Sequence, residues 1–465
     1  MAKTPMAKRE EEREVTRRAL IKWTVAAGAA LGVSRGKVIE ILEKTAGKET
    51  AFQAATSAST RSVHVVAGNG GLSWFTLLFP QVKVALSGDA NLSYHKPGMA
   101  TMMAGTDKPY ATGPDTPWAS LPASKQFTGF LCGQSQAHST DPQTTVATLN
   151  NNNIFAFATA LQASTPSVVP VVTVNGLALG TAPGAAQATA VGSADQIVNL
   201  FNSAASRAGG LLSKSQDATT YAVQYSAFAQ LNRAANRSTT KISYNTAVGA
   251  AGLLGTNLAA KLQIQAADLT RYGVTGSTPN NVKAIANGLI VAVKAFQNGL
   301  TNSVIMPAMN DDPHGAFADG RVNTIPAQLK TIFDAFMTDL TNTTDSVTSE
   351  VLADDTVITI TGDTTKDNLS HAGGNWGDGT TKGTNQLFCY SAGYLKSGWF
   401  GGINTDGTVT GYDGTANDAT FNAATTAKYA LASVAYAIAK GDERAISPFA
   451  NGVAISGMFG RPVQT

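Results

Sequence analysis

The segment SVIMPAMNDDPHGAFADG, residues 303–320, carries the clearest signal of the fold. It begins as an apolar strand, SVIMPAM (303–309), and continues as a polar loop. Pro326 then opens a predicted helix with apolar residues on one face, and DTVITITG (355–362) is the next predicted strand. A strand, a helix and a strand in this order form a βαβ unit with parallel strands and a right-handed crossover. The sequence therefore predicts an α/β fold with a mainly parallel sheet flanked by helices.

Similar patterns extend the fold in both directions along the chain. SVHVVA (62–67) predicts a strand, and so does VVPVVTV (168–174), where Pro170 predicts an edge position or a bulge. Residues 279–298 and 421–440 predict long helices with one apolar face. We expect residues 61–465 to form a single α/β domain with an Ala-rich helical insertion near 190–300.

Composition limits the classes of function. Of 465 residues, 43% are hydrophobic, which supports a globular core, and only 14% are charged. The net charge is +3, and no basic stripe interleaved with aromatic residues follows the amino-terminal region, so we do not expect nucleic-acid binding. A weakly charged surface rich in Gly, Thr and Asn favours a structural or self-assembling protein.

The amino-terminal 60 residues predict an export signal and a linker. TRRALIK (16–22) matches the twin-arginine pattern through Arg17 and Arg18, and an apolar run (23–33) follows. This run is too short for a stable transmembrane helix. We expect export to the periplasm or cell surface of a bacterium by the twin-arginine machinery. The alternative is a charged amphipathic helix beginning in KREEEREVTRR (8–18).

The two cysteines leave two interpretations open. In an exported protein, Cys132 and Cys389 could form a disulfide. Otherwise they are two small buried apolar residues.

Polar loops follow both strands of the βαβ unit. Because the carboxyl ends of parallel strands meet at one sheet edge, we expect these loops to approach each other. Their carboxylates and imidazoles are suitable ligands for zinc or manganese, and oxygen-only subsets suit calcium. The alternative is two ordinary polar loops. The candidate residues are Asp311, Asp312, His314, Asp319, Asp363, Asp367, His371 and Asp378.

The order of short motifs along the chain resembles a known group of proteins. After TRRALIK come Gly70-Gly71-Leu72-Ser73, then CGQSQAHSTDP (132–142), then Asp312-Pro313-His314-Gly315, then TGDTTKDN (361–368) and GWFGGINTDG (398–407). This order resembles bacterial twin-arginine-exported proteins of unknown function in the alkaline phosphatase (sulfatase-like) superfamily. The resemblance implies a three-layer alkaline phosphatase-like core.

The resemblance also implies roles for individual residues. Ser73 corresponds to the nucleophile, and a divalent metal would stabilise the developing charge. The implied metal ligands are Asp312, His314 and Asp363, with His371 and Asp378 as further ligands. Two functions are expected: a metal-assisted hydrolase of phosphate or sulfate esters, or a catalytically degraded member that serves as a structural or binding component. The second is favoured by Asn69, which stands where the superfamily usually has a metal-binding Asp.

Overall fold

A computed structural model describes most of the chain after residue 59. The described residues are 60–87, 89, 101–102, 111–118, 121, 125–133, 148–149, 152–163, 165, 167–200, 257–367, 369–377, 385–414, 417–450, 453 and 455–460. Arg17, Arg18 and Asp378 lie outside these residues, as do residues 201–256 of the predicted insertion.

The described strands are named in chain order. They are β1 Arg61–Ala67, β2 Thr101–Met102, β3 Ala111–Thr112, β4 Gln126–Gly133, β5 Thr148–Leu149, β6 Asn152–Asn153, β7 Val171–Val174, β8 Ala188–Val191, β9 Ser303–Ala308, β10 Thr356–Gly362, β11 Asn385–Ser391, β12 Gly398–Phe400, β13 Gly402–Ile403, β14 Val409–Tyr412 and β15 Asn417–Thr420. All residues of β1 and β10 are buried, as expected for β-branched runs at the centre of a parallel sheet.

The described α-helices are named in the same way. They are α1 Leu72–Leu78, α2 Val82–Ala85, α3 Ile154–Leu161, α4 Ala194–Leu200, α5 Leu258–Leu262, α6 Ala266–Arg271, α7 Asn280–Gln297, α8 Ile325–Asn342, α9 Leu352–Asp355, α10 Ala423–Ile438 and α11 Glu443–Ala450. The predicted helices α7, α8 and α10 are confirmed. Helix α8 carries Pro326 in its first turn, where a missing N–H costs no helical hydrogen bond.

Eight of the described strands form one sheet in the order β12-β4-β11-β10-β1-β9-β7-β8. Within this sheet β11 runs antiparallel to its neighbours β10 and β4, and every other pair is parallel. The predicted α/β class and the parallel direction of β9 and β10 are confirmed. The two strands are not neighbours, because β1 lies between them.

Helices cover both faces of this sheet. On β1, the His64 ring contacts Phe155 of α3, with ring centroids 5.1 Å apart. Val65 points to the opposite face and pairs in register with Met306 of β9, which packs against Gly288 of α7. The arrangement is therefore helix, sheet, helix, compatible with a three-layer core.

The predicted edge position of Pro170 is wrong. Strand β7 begins at the next residue and has β9 on one side and β8 on the other. Pro170 precedes the strand, so its missing N–H costs no ladder hydrogen bond, and its carbonyl accepts the N–H of Ser303 at 3.1 Å. The sequence around Pro170 does not indicate which strands pair with β7, so the position of β7 within the sheet could not be predicted from it.

The chain divides into two compact units. One comprises Met1–Gln53, Pro166–Val168 and Gln196–Gln263, and its described part includes α5. The other comprises Ala54–Thr165, Val169–Asp195 and Ile264–Thr465 and contains the eight-stranded sheet. Across the described ranges, no helix combines the length and the apolar character needed to span a bilayer.

Candidate functional site

Three adjacent parallel strands end at the same edge of the sheet. They are β9, β1 and β10, and their loops follow at 309–320, 68–71 and 363–377. The loops after β9 and β10 meet, because the N–H of Trp376 donates to the carbonyl of His314 at 2.7 Å. The expected approach of these two loops is therefore observed, and the glycine-rich turn after β1 joins them.

Asp363 ties two of these strand ends together. It is buried at the end of β10, and its carboxylate accepts the backbone N–H of Gly70 at 3.0 and 3.3 Å. The carbonyl of Asp363 accepts the side-chain amide of Asn385. In this structure the Asp363 side chain supports the turn after β1.

The backbone is strained where β1 and β9 end. Asn69 and Met309, which follow these strands, have φ values of 53° and 44°. Such left-handed conformations cost about 1–3 kcal/mol each and concentrate at binding and catalytic sites. Gly71 is required here, because a Cβ at this position would overlap the carbonyl oxygen of Met309.

Lys366 lies among the predicted metal ligands. Its Nζ is 2.7 Å from Oδ1 of Asp312 and 3.4 Å from Nδ1 of His314. The side chain of Lys366 is 1% exposed, whereas that of Asp312 is 40% exposed. Sequence reasoning missed Lys366 as a member of the site; only its place in the loop after β10 could have indicated it.

Ser73, the implied nucleophile, lies in the first turn of α1 and is fully buried. Its Oγ accepts the backbone N–H of Lys366 at 2.6 Å. This bond connects α1 to the loop after β10. A nucleophile must reach its substrate, and in this structure Ser73 is enclosed.

His371 belongs to an aromatic stack on the loop after β10. Its ring lies parallel to Phe317, with centroids 3.9 Å apart, and Trp376 meets the same phenyl ring edge-on at 5.3 Å. These contacts come from the loops after β9 and β10 and hold the two together. Aromatic pairs in such geometries contribute about 0.5–1.5 kcal/mol beyond the area that they bury.

Arg321 fixes the loop after β9. Its guanidinium donates to Asp311 at 2.9 Å and to Asp319 at 2.8 Å, and it lies 5.6 Å from the ring centre of Trp74. The backbone N–H and guanidinium of Arg321 lower the pKa of Asp319. Two of the acidic residues that the sequence offers as metal ligands therefore bind an arginine.

Several of the candidate metal ligands contact other protein groups in this structure. Among them, no group of three or more His, Cys, Asp and Glu side chains is placed to hold a metal. Asp312 and His314 contact the amino group of Lys366, and Asp363 faces the turn at Gly70.

Cys132 and Cys389 are both buried and free in this structure. Cys389 on β11 pairs with Thr128 on β4, four positions before Cys132. At about 3.4 Å per residue, this offset is well beyond the Cα separation of about 7 Å that a disulfide tolerates. Burial raises the pKa of Cys389 to about 12, so its thiol is unreactive.

Comparison with known proteins adds no relative. No protein-family model, no curated protein and no solved structure matches this chain.

Proposed function

We propose that this chain is an exported α/β protein with an alkaline phosphatase-type core that does not hydrolyse esters and acts as a structural or binding component of the bacterial cell surface. The observation that carries this proposal is the position of Lys366, whose buried amino group contacts both Asp312 and His314.

Electrostatics supports this proposal. Two unit charges 4 Å apart interact by about 4 kcal/mol at an effective dielectric constant of 20, so a divalent ion beside the Lys366 ammonium meets a repulsion of about 8 kcal/mol. Lys366 already supplies the positive charge that Asp312 would otherwise receive from a metal. An ammonium in this position acts as a built-in counter-ion.

The enclosure of Ser73 supports the same conclusion. Its hydroxyl oxygen accepts a backbone N–H, and no part of the residue is exposed. The composition agrees, because 14% charged residues and 45 glycines suit a neutral surface that packs against copies of itself. Self-assembly is part of the proposal.

The second candidate is a metal-assisted hydrolase of phosphate or sulfate esters. It is favoured by the meeting of three strand ends at one sheet edge and by the strained backbone at Asn69 and Met309. In this case Lys366 would have to leave Asp312, and Ser73 would have to become accessible.

Elemental analysis and ester assays separate the two candidates. We expect the protein, purified without chelator, to contain less than stoichiometric zinc, manganese or calcium and to leave aryl phosphates and aryl sulfates intact. Bound metal, together with hydrolysis that is lost in Ser73→Ala but kept in the surface variant Ser87→Ala, would establish the hydrolase. Electron microscopy of the same sample tests for ordered assemblies.

A further inference from the structure

A lysine and two carboxylates meet at the opposite end of β10 from the candidate site. Lys440 follows α10, and its Nζ lies 2.5 Å from Oδ1 of Asp355 and 2.6 Å from Oε2 of Glu350. The hydroxyl of Thr348 donates to the other carboxylate oxygen of Asp355 at 2.9 Å. Lys440 itself has a left-handed φ of 50°, which has an energetic cost in a residue other than glycine.

The cluster is arranged for a reaction as well as for an ion pair. The side chain of Asp355 is completely buried, and that of Lys440 is 20% exposed. An amine this close to a carboxyl oxygen lies about 3–3.5 Å from the carboxyl carbon, the separation from which attack begins. Glu350, which is half exposed, provides a second carboxylate within proton-transfer distance of the same nitrogen.

We propose that Lys440 and Asp355 form an intramolecular isopeptide bond, with Glu350 as the proton carrier. Nζ of the neutral amine attacks Cγ of the protonated Asp355 carboxyl, and the Glu350 carboxylate accepts the proton released from nitrogen. Glu350 returns this proton to the departing hydroxyl, so a C–N bond forms, a C–O bond breaks and one water leaves. No oxidant, reductant or co-reactant is needed.

The pKa values of Asp355 and Lys440 determine how often the reactive, neutral form of the pair occurs. Burial, together with the hydrogen bond to Glu350, raises the pKa of Asp355 to about 7, so its protonated form is accessible near neutral pH. Although burial works in the opposite direction, hydrogen bonds to Asp355 and Glu350 raise the pKa of Lys440. The ion cluster is therefore the resting state, and bond formation is a slow maturation through its neutral form.

Among the described residues, three other close Lys–Asp pairs lack this arrangement. In one of them, Lys330 and Asp334 are each about one-third exposed, so neither is enclosed as Asp355 is. Asp268, 2.5 Å from Lys294, also binds Arg271, and although burial opposes it, these hydrogen bonds lower the pKa of Asp268 and keep it ionised. Asp312 beside Lys366 is 40% exposed, so this pair is open to water, whereas the side chain of Asp355 is fully buried. These pairs serve as internal controls.

The bond would join positions 85 residues apart, from the start of β10 to the end of α10. Such a cross-link restricts the unfolded chain as a disulfide does. The domain would then have a covalent cross-link that does not involve the two free cysteines.

Peptide mapping of the full-length chain tests the proposal. We expect a denatured tryptic digest to contain a branched peptide that includes both Asp355 and Lys440, lighter by one water than the sum of its two parts. Cleavage after Lys440 should be lost. Lys440→Arg keeps the positive charge but should give only linear peptides, and Glu350→Gln should slow bond formation by about 100-fold or more.

The proposal would be overturned if the wild-type chain gave no branched peptide after prolonged incubation at neutral pH. The three residues would then form an ion cluster and nothing more. A water loss that maps to an Asp–Gly sequence instead would also overturn it. An unchanged rate in Glu350→Gln would remove Glu350 from the mechanism. Because the bond forms only in the folded cluster, a slower rate in Glu350→Gln counts for the mechanism only if the variant shows the wild-type circular dichroism spectrum and urea unfolding midpoint.

Discussion

His64 at the centre of the sheet should make the protein acid-sensitive. The residue is completely buried on β1, its Nδ1 lies 2.7 Å from Oγ1 of Thr359, and burial lowers its pKa from 6.5 to about 3. Its Nε2 has no hydrogen-bond partner among the described residues. Protonation would therefore place a positive charge on a buried ring whose Nε2 lacks a partner among these residues to stabilise it in the folded protein.

The direction and the size of the effect follow from proton binding. Between pH 6.5 and pH 3 the unfolded chain binds a proton at His64 and the folded protein does not, so the free energy of unfolding falls as the pH falls. The loss is about 1.4 kcal/mol per pH unit, which amounts to about 5 kcal/mol at pH 3. From pH 6.5 to pH 4.5 it is about 2.7 kcal/mol.

Urea unfolding of the wild type and of His64→Asn, measured at a series of pH values from 7.5 to 4.5, checks this prediction. Asn offers a polar atom to Thr359 without titrating in this range. The variant should be less stable at neutral pH by about 1–3 kcal/mol but should lose less stability on acidification. Asp355, whose raised pKa favours the folded state at low pH, is present in both proteins and cancels in the difference.

Phe155→Leu is the matched control. It removes the ring contact to His64 but keeps the imidazole buried, so the variant should be less stable at every pH while keeping the wild-type slope. Parallel pH profiles for the wild type and His64→Asn would contradict this prediction, because His64 would then have the same charge in the folded and the unfolded protein.

Three further predictions concern the strand ends and the amino terminus. Asp363→Ala should destabilise the fold by about 1–3 kcal/mol in urea unfolding because a buried turn N–H loses its acceptor, whereas Asp363→Asn, which keeps an acceptor, should cost less; equal costs would contradict this role. Gly71→Ala should cost about 3 kcal/mol because its Cβ would overlap a carbonyl oxygen, and Gly276→Ala, which meets open space, should change stability by less than about 0.5 kcal/mol. Arg17→Lys combined with Arg18→Lys should keep the protein inside the cell in a fractionation assay, and normal export of this variant would contradict the twin-arginine interpretation.

Much of the fold could be predicted because its signals are local. The β-branched runs of β1, β9 and β10 and the apolar periodicity of α7, α8 and α10 are properties of neighbouring residues. The rule that parallel strands end at one edge then brought the two polar loops together. These features need no knowledge of distant contacts.

The sequence predicts where in the fold the candidate site lies, but not which side chains contact each other there. The sequence names Asp312, His314 and Asp363 as polar residues in two loops, but not their partners. In the structure Asp363 turns to the backbone at Gly70, and the amino group of Lys366 reaches the other two. The lysine side chain is long and flexible, so its amino group can contact any of several nearby carboxylates. The position of Lys366 in the sequence therefore does not indicate which carboxylate it binds.

Short-range patterns in the sequence are sufficient to predict the α/β class, the main strands and helices, and the edge of the sheet where polar residues gather. Four features became visible only in the folded protein: β1 lies between β9 and β10, β11 runs antiparallel, Ser73 is enclosed, and Lys366 supplies the positive charge beside Asp312. Strand order, burial and ion pairing depend on contacts between residues far apart in the chain, and these contacts stabilise the protein only once the sheet has assembled.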